Sequence, residues 1–544
     1  MQRKRLFQVF AAALALSLVA AACGGDDGDT GGPDGKAGGS AVTYLGEPDG
    51  LSPHLCGTTS CSEPANRIYD SLLEYDWKTA EPVKTGAATD YQVSADGKMV
   101  TFQLRKGATF HNGEPVNAEA FIRSYTLTAR KDSTSPVAFH LDGIKGFAAM
   151  QEGTATTLAG VRQGKDEYEF VIELESANAE FFIRTGHTVF SPIPKVAVKA
   201  DGTFNPAFNE NPVGNGPYMM DGPWKHDVSV KIKKFEGYNG SVPGFLDSIE
   251  FKIFGGETAL NTAFLEFQGG TIDSSAVPAD SFVQAEKDYA DSYLEQPTSV
   301  LTYLFAKMTA PPMNNVDFRR AISMAIDRDE IVTAVFQGKK VPAKSIVPPV
   351  GVPGHRPDVC KYCVFNVDQA KELLAKAGGP KSFEIAFNSG ADHESWIAAV
   401  AAQLKKNLGI DTKQVGKTPF PDYLKYVESD AFQGLGRLGW AQDFPTIDNW
   451  MFPLLHSKSK PPGSNYAQFS NAEFDSVVEK AQQTLDAKER LKLQQQAEDI
   501  ALDQMPIIPM FYGKSARVYN FAKFATFPLE LQSGNPAWEE ISIK

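Results

Sequence analysis

The sequence predicts a mixed α/β protein, and two stretches carry the prediction. In the first, Phe383-Glu384-Ile385-Ala386-Phe387 reads as a strand, and Ile397, Val400, Ala401, Leu404 and Leu408 then share one helical face. Gly409 stops that helix, and residues 410–415 return to extended structure. Strand, helix, strand in this order implies a parallel sheet. In the second, Met-Val-Thr-Phe-Gln-Leu (99–104) alternates as a strand and runs into a turn at Asn112-Gly113. Asn117 is then placed to cap a helix beginning near Ala118.

Further helices are signed by their caps. Asp368 is expected to cap QAKELLAKAG, which Gly378 ends. Asn471 is expected to cap a helix with Phe474, Val477, Val478 and Ala481 inward, and Asp486 with Glu489 resembles a capping box. These periodic apolar faces read as core and carry no chemistry. No internal repeat is visible.

The first residues have a different character. Arg3-Lys4-Arg5 is a positive segment, and residues 6–22 are an Ala/Leu-rich apolar run, short for a membrane span. The run ends Ala20-Ala21-Ala22-Cys23, the pattern of a bacterial lipoprotein signal at 1–22 with Cys23 as the lipidated residue. An ordinary secretory signal is the alternative. Residues 23–39, rich in Gly and Asp, read as a lipid-anchored flexible tether. The protein is therefore expected outside the cell membrane, held there only by its N-terminal lipid.

The 544 residues suffice for two or three domains, and 42% hydrophobic content suits a sizeable core. Net charge is −13, and loss of Arg3, Lys4 and Arg5 with the signal, −13 − 3, gives −16. So acidic a chain argues against nucleic acid as a partner. Four further cysteines form two local pairs, Cys56 with Cys61 and Cys360 with Cys363. In an oxidising compartment each pair is expected to close a small disulfide loop. A four-cysteine zinc site or a redox CxxC are the other readings. Metal is otherwise not expected, because the eight histidines are scattered without ligand spacing.

The most informative stretch is AFQGLGRLGWAQDFPTIDNWMFPLLH (431–456). It sets Asp443 in a Gly-punctuated apolar run with no adjacent Lys or Arg; Arg437 lies six residues upstream. A carboxylate among apolar neighbours is costly unless a cation meets it. Either the fold supplies a distant partner or a ligand does.

Six segments in order resemble the large solute-binding proteins of ATP-binding-cassette importers, the peptide and nickel family. They are GEPDGLSPHL (46–55), VTFQLRKGATFHNGEPVNAEAF (100–121), VGNGPYMMDGPW (213–224), VDFRRAISMAIDRDEIV (316–332), LGWAQDFPTIDNW (438–450) and MPIIPMFYGKSARVY (505–519). The resemblance implies a two-lobed flytrap. Lobe I would comprise 40–75, 190–295 and 510–544, an extra domain on it 76–189, and lobe II 296–509. The ligand would be enclosed between the lobes, and the closed form would dock on a permease with its ATPase subunits. A monomer without cofactor is expected.

The same resemblance implies site residues. In Gly439-Trp440-Ala441-Gln442-Asp443 the Asp matches the family residue that holds a peptide's α-ammonium. A structural Arg or backbone amides satisfying Asp443 is the plainer alternative. Arg437 matches an arginine for the ligand's terminal carboxylate, although a surface salt bridge would explain it too. The Gly57-Thr58-Thr59 loop resembles the corresponding loop of dipeptide binders. Asn388 and Ser389, at a strand's C-terminal end, lie where open α/β sheets gather ligands. Phe511 and Tyr512 are candidates to pack a ligand side chain. Short peptides are thus the expected ligand, with an opine, sugar, haem, nickel chelate or peptide signal as alternatives. No G-x-S-x-G, H-E-x-x-H or phosphate loop is present, so catalysis is not expected.

Overall fold

The computed structural model describes residues 35–544. The signal-like segment, Cys23 and most of the tether lie outside the described residues. Strand β1 (Ser40–Leu45) buries Ala41, Thr43 and Leu45 by simple alternation. A loop follows, and Thr58 caps α1 (Thr59–Ile68) by accepting the Cys61 N–H.

The chain then builds a separate small domain. Strands β2 (Ala88–Val93), β3 (Met99–Leu104), β4 (Val161–Gln163) and β5 (Glu169–Glu173) pair antiparallel in the order β2-β3-β5-β4. The alternation in 99–104 buries Val100, Phe102 and Leu104 against α2 (Ala118–Ala129), whose Phe121 and Tyr125 are fully covered. Asn117 precedes α2 as expected, but its side chain takes no helix N–H and reaches Glu167 instead. The short helix α3 (Phe181–Arg184) closes this domain.

Returning, the chain adds β6 (Tyr218–Met220), β7 (Ser229–Lys234), β8 (Ser248–Ile253) and β9 (Ser274–Ala276) around β1. The 14-residue β10 (Tyr293–Ala306) then leaves this first lobe and enters the second. There α4 (Val367–Lys376) is capped by Asn366, which accepts the Gln369 N–H. This corrects the expected cap at Asp368, which falls in the first turn, where a negative charge still meets the positive helix end. Strand β11 (Phe383–Asn388), helix α5 (Glu394–Leu408) and strand β12 (Thr412–Lys417) form the expected parallel unit, with Phe383 beside Thr412 and Gly409 at φ 70° ending the helix. The chain continues through β13 (Gly434–Ala441), α6 (Asp448–Leu455), α7 (Ala472–Gln483) and α8 (Ala487–Gln504). Asn471 and Asp486 cap α7 and α8 through their side chains. Finally β14 (Ile507–Tyr519) runs back along β10.

One sheet therefore spans both lobes, in the order β12-β11-β13-β10-β14-β9-β1-β8-β7-β6, with Val341–Pro342 beside β14. Pairing of β10 with β14 is interrupted between Pro297 and Leu301, where the two strands pass from lobe to lobe. The lobes also meet away from these strands. The Leu260 N–H donates to the Gly390 carbonyl at 3.3 Å. Arg184 of the small domain pairs with Asp448 of α6 at 2.6 Å, both nearly inaccessible to solvent. No helix among the described residues is long and apolar enough to cross a membrane.

Candidate functional site

A cavity of about 980 Å³ lies between the lobes, within the range of small-ligand sites. Its lobe II wall is β13 and the residues that follow it, Leu438 to Asp443. Strand β11 pairs with β13 only from Gly434 to Gly436, whereas β10 pairs with it as far as Ala441. Beyond Gly436 the edge of β13 that faces β11 has no ladder partner among the described residues. The Arg437 carbonyl there accepts from the Tyr423 hydroxyl at 2.6 Å, and the rest of this edge lines the cavity without a neighbouring strand, a template for an added one.

At the end of this edge stands Asp443, its side chain 18% exposed. Asn449 of α6 holds it twice: Oδ1 accepts the Asp443 N–H at 2.8 Å, and Nδ2 donates to Asp443 Oδ2 at 3.0 Å. The same Oδ1 accepts the Trp440 indole N–H at 3.1 Å. Two histidines of the small domain face the carboxylate, His140 Nε2 at 3.4 Å and His187 Nε2 at 3.8 Å, their rings stacked at 4.4 Å. No Lys or Arg reaches ion-pair distance among the described residues. Burial raises the Asp443 carboxyl to about 7 and lowers both histidines, His187 to about 4. The acid thus meets neutral groups only.

His140, His187 and Asp443 each offer one ligand atom within 4.8 Å of the others. A metal would need the lone pair of each Nε2. The Nδ1 of His187 accepts the Val189 N–H, which leaves the ring proton on Nε2, pointing at the carboxylate. A metal-bound histidine keeps its other nitrogen as a donor, the reverse of this arrangement. With its Nε2 protonated, His187 has no lone pair to give, so the trio does not fit a metal ion. That two of the eight scattered histidines meet here was invisible in their spacing.

Arg437 also lines the cavity and has no carboxylate within ion-pair distance among the described residues. Its Nη1 donates to Asn388 Oδ1 at 3.0 Å, its Nε has no partner, and burial lowers it to about 10. Asn388 and Ser389 line the cavity beside it. Gly57, Thr58 and Thr59 line the opposite wall, where Asp49 pins the loop. Its carboxylate accepts the Gly57 N–H at 3.0 Å and the Thr58 hydroxyl at 2.7 Å. The sulfurs of Cys56 and Cys61 are joined across this loop, and those of Cys360 and Cys363 are joined in lobe II. Ala441 and Gln442 are at the cavity too. Gln442 is 2% exposed, with neither side-chain amide atom paired to protein.

Phe511 and Tyr512 are not in the cavity, contrary to expectation. Phe511 is 2% exposed and packs edge-on against Phe336 and Trp396, while the Tyr512 hydroxyl donates to the Ser345 carbonyl. This half of β14 is covered on both faces, so aromatics there fill the lobe II core.

Residues 82–462 match the model of the bacterial extracellular solute-binding proteins, family 5. The chain belongs to that family. Among relatives, the oligopeptide-binding protein OppA of Bacillus subtilis is 28% identical over 530 residues, 94% of each chain. The dipeptide-binding protein of Escherichia coli is 28% identical over 491 residues, 85% of this chain and 87% of its own. Among solved structures, the murein tripeptide-binding protein MppA of Escherichia coli aligns with a TM-score of 0.83 at 23% identity, covering 93% of this chain and 98% of that one. The unliganded open form of MppA aligns over 93% of this chain and 97% of its own with a TM-score of only 0.66.

Proposed function

We propose that this family-5 protein captures short peptides between its lobes and delivers them to an ATP-binding-cassette permease. The observation that carries the reading is Asp443, a cavity-lining acid beside a free strand edge with only neutral neighbours. A peptide's α-ammonium supplies the missing cation. Such a charge-assisted bond contributes about 1.5–3 kcal/mol. The edge at 438–441 offers main-chain hydrogen bonds that ignore side-chain identity, and Arg437 offers a guanidinium to the terminal carboxylate. Six residues of extended chain span about 20 Å, which bounds the Cα separation of Arg437 and Asp443. A peptide engaging both at once is therefore short.

Around this core the remaining assignments are proposals of the same reading. Trp440, Ala441, Gln442, Asn388, Ser389 and the 57–59 loop surround the ligand. Residues 40–75, 190–295 and 510–544 act as one lobe and 296–509 as the other, with 76–189 as a domain reaching both. Cys56–Cys61 and Cys360–Cys363 are disulfides in the exported protein, which works as a monomer tethered through lipidated Cys23. Relatives carrying peptide-binding names, and a chain covered almost end to end by them, support this function.

The test is mass spectrometry of ligand released on denaturing gently purified protein, joined to calorimetry with alanine peptides free and N-acetylated. Released peptides and a preference for the free amine are expected. A non-peptide ligand would sink the reading, and equal binding of both peptide forms would sink the ammonium role.

A further inference from the structure

The W-x-x-D stretch does not orient itself. A strand that has left its ladder partner, as β13 has beyond Gly436 on one edge, holds its side chains only as well as the next layer allows. In that layer one amide bonds to both ends of the stretch. Asn449, 0% exposed, stands at the second residue of α6 and touches both ends of the motif. Its Oδ1 takes two donors, the Asp443 N–H at 2.8 Å and the Trp440 indole N–H at 3.1 Å. Its Nδ2 returns a hydrogen bond of 3.0 Å to Asp443 Oδ2. We infer that Asn449 is the positioning residue of the ammonium site, fixing Trp440 and Asp443 so that the carboxylate is presented to the ligand.

Only a carboxamide provides both roles at this point. A leucine of similar volume would leave the indole N–H, the backbone N–H and one carboxylate oxygen unpaired, and an aspartate would set two acids against each other. The amide is itself held, because its neighbour Asp448 accepts from Arg184 at 2.6 Å and from Gln482 at 3.0 Å. That fixes the start of α6. The Asn449 donor also favours the ionised form of Asp443, against the burial that disfavours it. The other titratable or charged groups around the carboxylate are His140 and His187, with Arg184 acting on His140, and Tyr75, whose hydroxyl feels the Asp443 charge. None of these is a donor on Asp443's own element.

The inference rests on the peptide reading, and its test separates the two. Di- to pentaalanine, free and N-acetylated, are titrated into wild type, Asn449→Leu and Asn449→Ala across about pH 5.5 to 8. Wild type is expected to prefer the free peptides. Both variants are expected to lose about ten- to a hundredfold of affinity for free peptide and little for acetylated peptide. The pH at which free-peptide affinity is half-lost should also move upward, which a merely structural change would not produce. Variants that keep the wild-type ratio and midpoint overturn the inference. A wild type that binds both forms equally overturns the ammonium reading and this inference with it. Should the variants fail to fold, the Trp440 indole resonance of wild type, assigned by Trp440→Phe, supplies the answer. It is expected to shift with free trialanine and not with N-acetyl-trialanine, and an unmoved resonance overturns the inference.

Discussion

Burial raises the Asp443 carboxyl to about 7, and the sign of its effect on binding follows directly. In the empty cavity the group is protonated below that pH and ionised above it. An ammonium needs the ionised form, so binding below about 7 must expel a proton. Affinity should then fall about tenfold for each unit of pH below 7, and level off above it until the peptide's own amine titrates near 8. His187, held down to about 4 by burial, adds no positive charge over this range. In Asp443→Asn the acid limb should vanish together with most of the affinity for free peptides. Calorimetry at several pH values decides it: an acid limb of unchanged slope in the variant would assign the proton to another group.

At the scale of elements, the loop from Cys56 to Cys61 is tied in two ways, by its bridging sulfurs and by Asp49. A loop ordered before the ligand arrives costs less to bind. Asp49→Ala should therefore weaken peptide binding several-fold to about tenfold, and speed hydrogen exchange at Gly57 to Thr59, while the melting temperature changes by only a few degrees. Unchanged exchange there would mean the bridge alone orders the loop. Elements of this kind were partly legible in the sequence. Alternation in 99–104 and the strand–helix–strand of 383–415 are local signals, and burial simply completed them. The W-x-x-D acid was legible for the same reason, as a charge in an apolar run. Asn449, His140, His187 and Asp49 were not, because each acquires its role only when separate elements fold together. The misplacement of Phe511 and Tyr512 has the converse cause. Period-two patterning marks one buried face, but this half of β14 is buried on both, so nothing in the sequence separated core aromatics from ligand-facing ones.

For the whole molecule, two glycines mark where the lobes come closest to touching. Gly390 follows β11 in lobe II and Gly256 follows β8 in lobe I; both line the cavity. A Cβ added to Gly390 would stand 2.0 Å from the Gly256 carbonyl oxygen, a backbone atom that cannot step aside alone. Gly390→Ala should accordingly hold the lobes apart. The affinity a ligand shows is reduced by the fraction of molecules able to close, so a loss of tenfold or more is expected. Small-angle scattering should show the variant remaining extended at peptide concentrations that compact the wild type. Gly390 sits at φ 82°, where alanine is also strained, so a backbone control is needed. Gly378 supplies it: its φ is 88° and nothing lies within 4 Å of a Cβ placed there. Gly378→Ala bears a similar backbone cost, about 1 kcal/mol, with no steric block. If the two variants lose stability alike but only Gly390→Ala loses affinity and compaction, contact between the lobes at 256 and 390 is a condition of capture. Equal affinities for both would place the closing contact elsewhere, with Arg184 and Asp448 the next pair to separate.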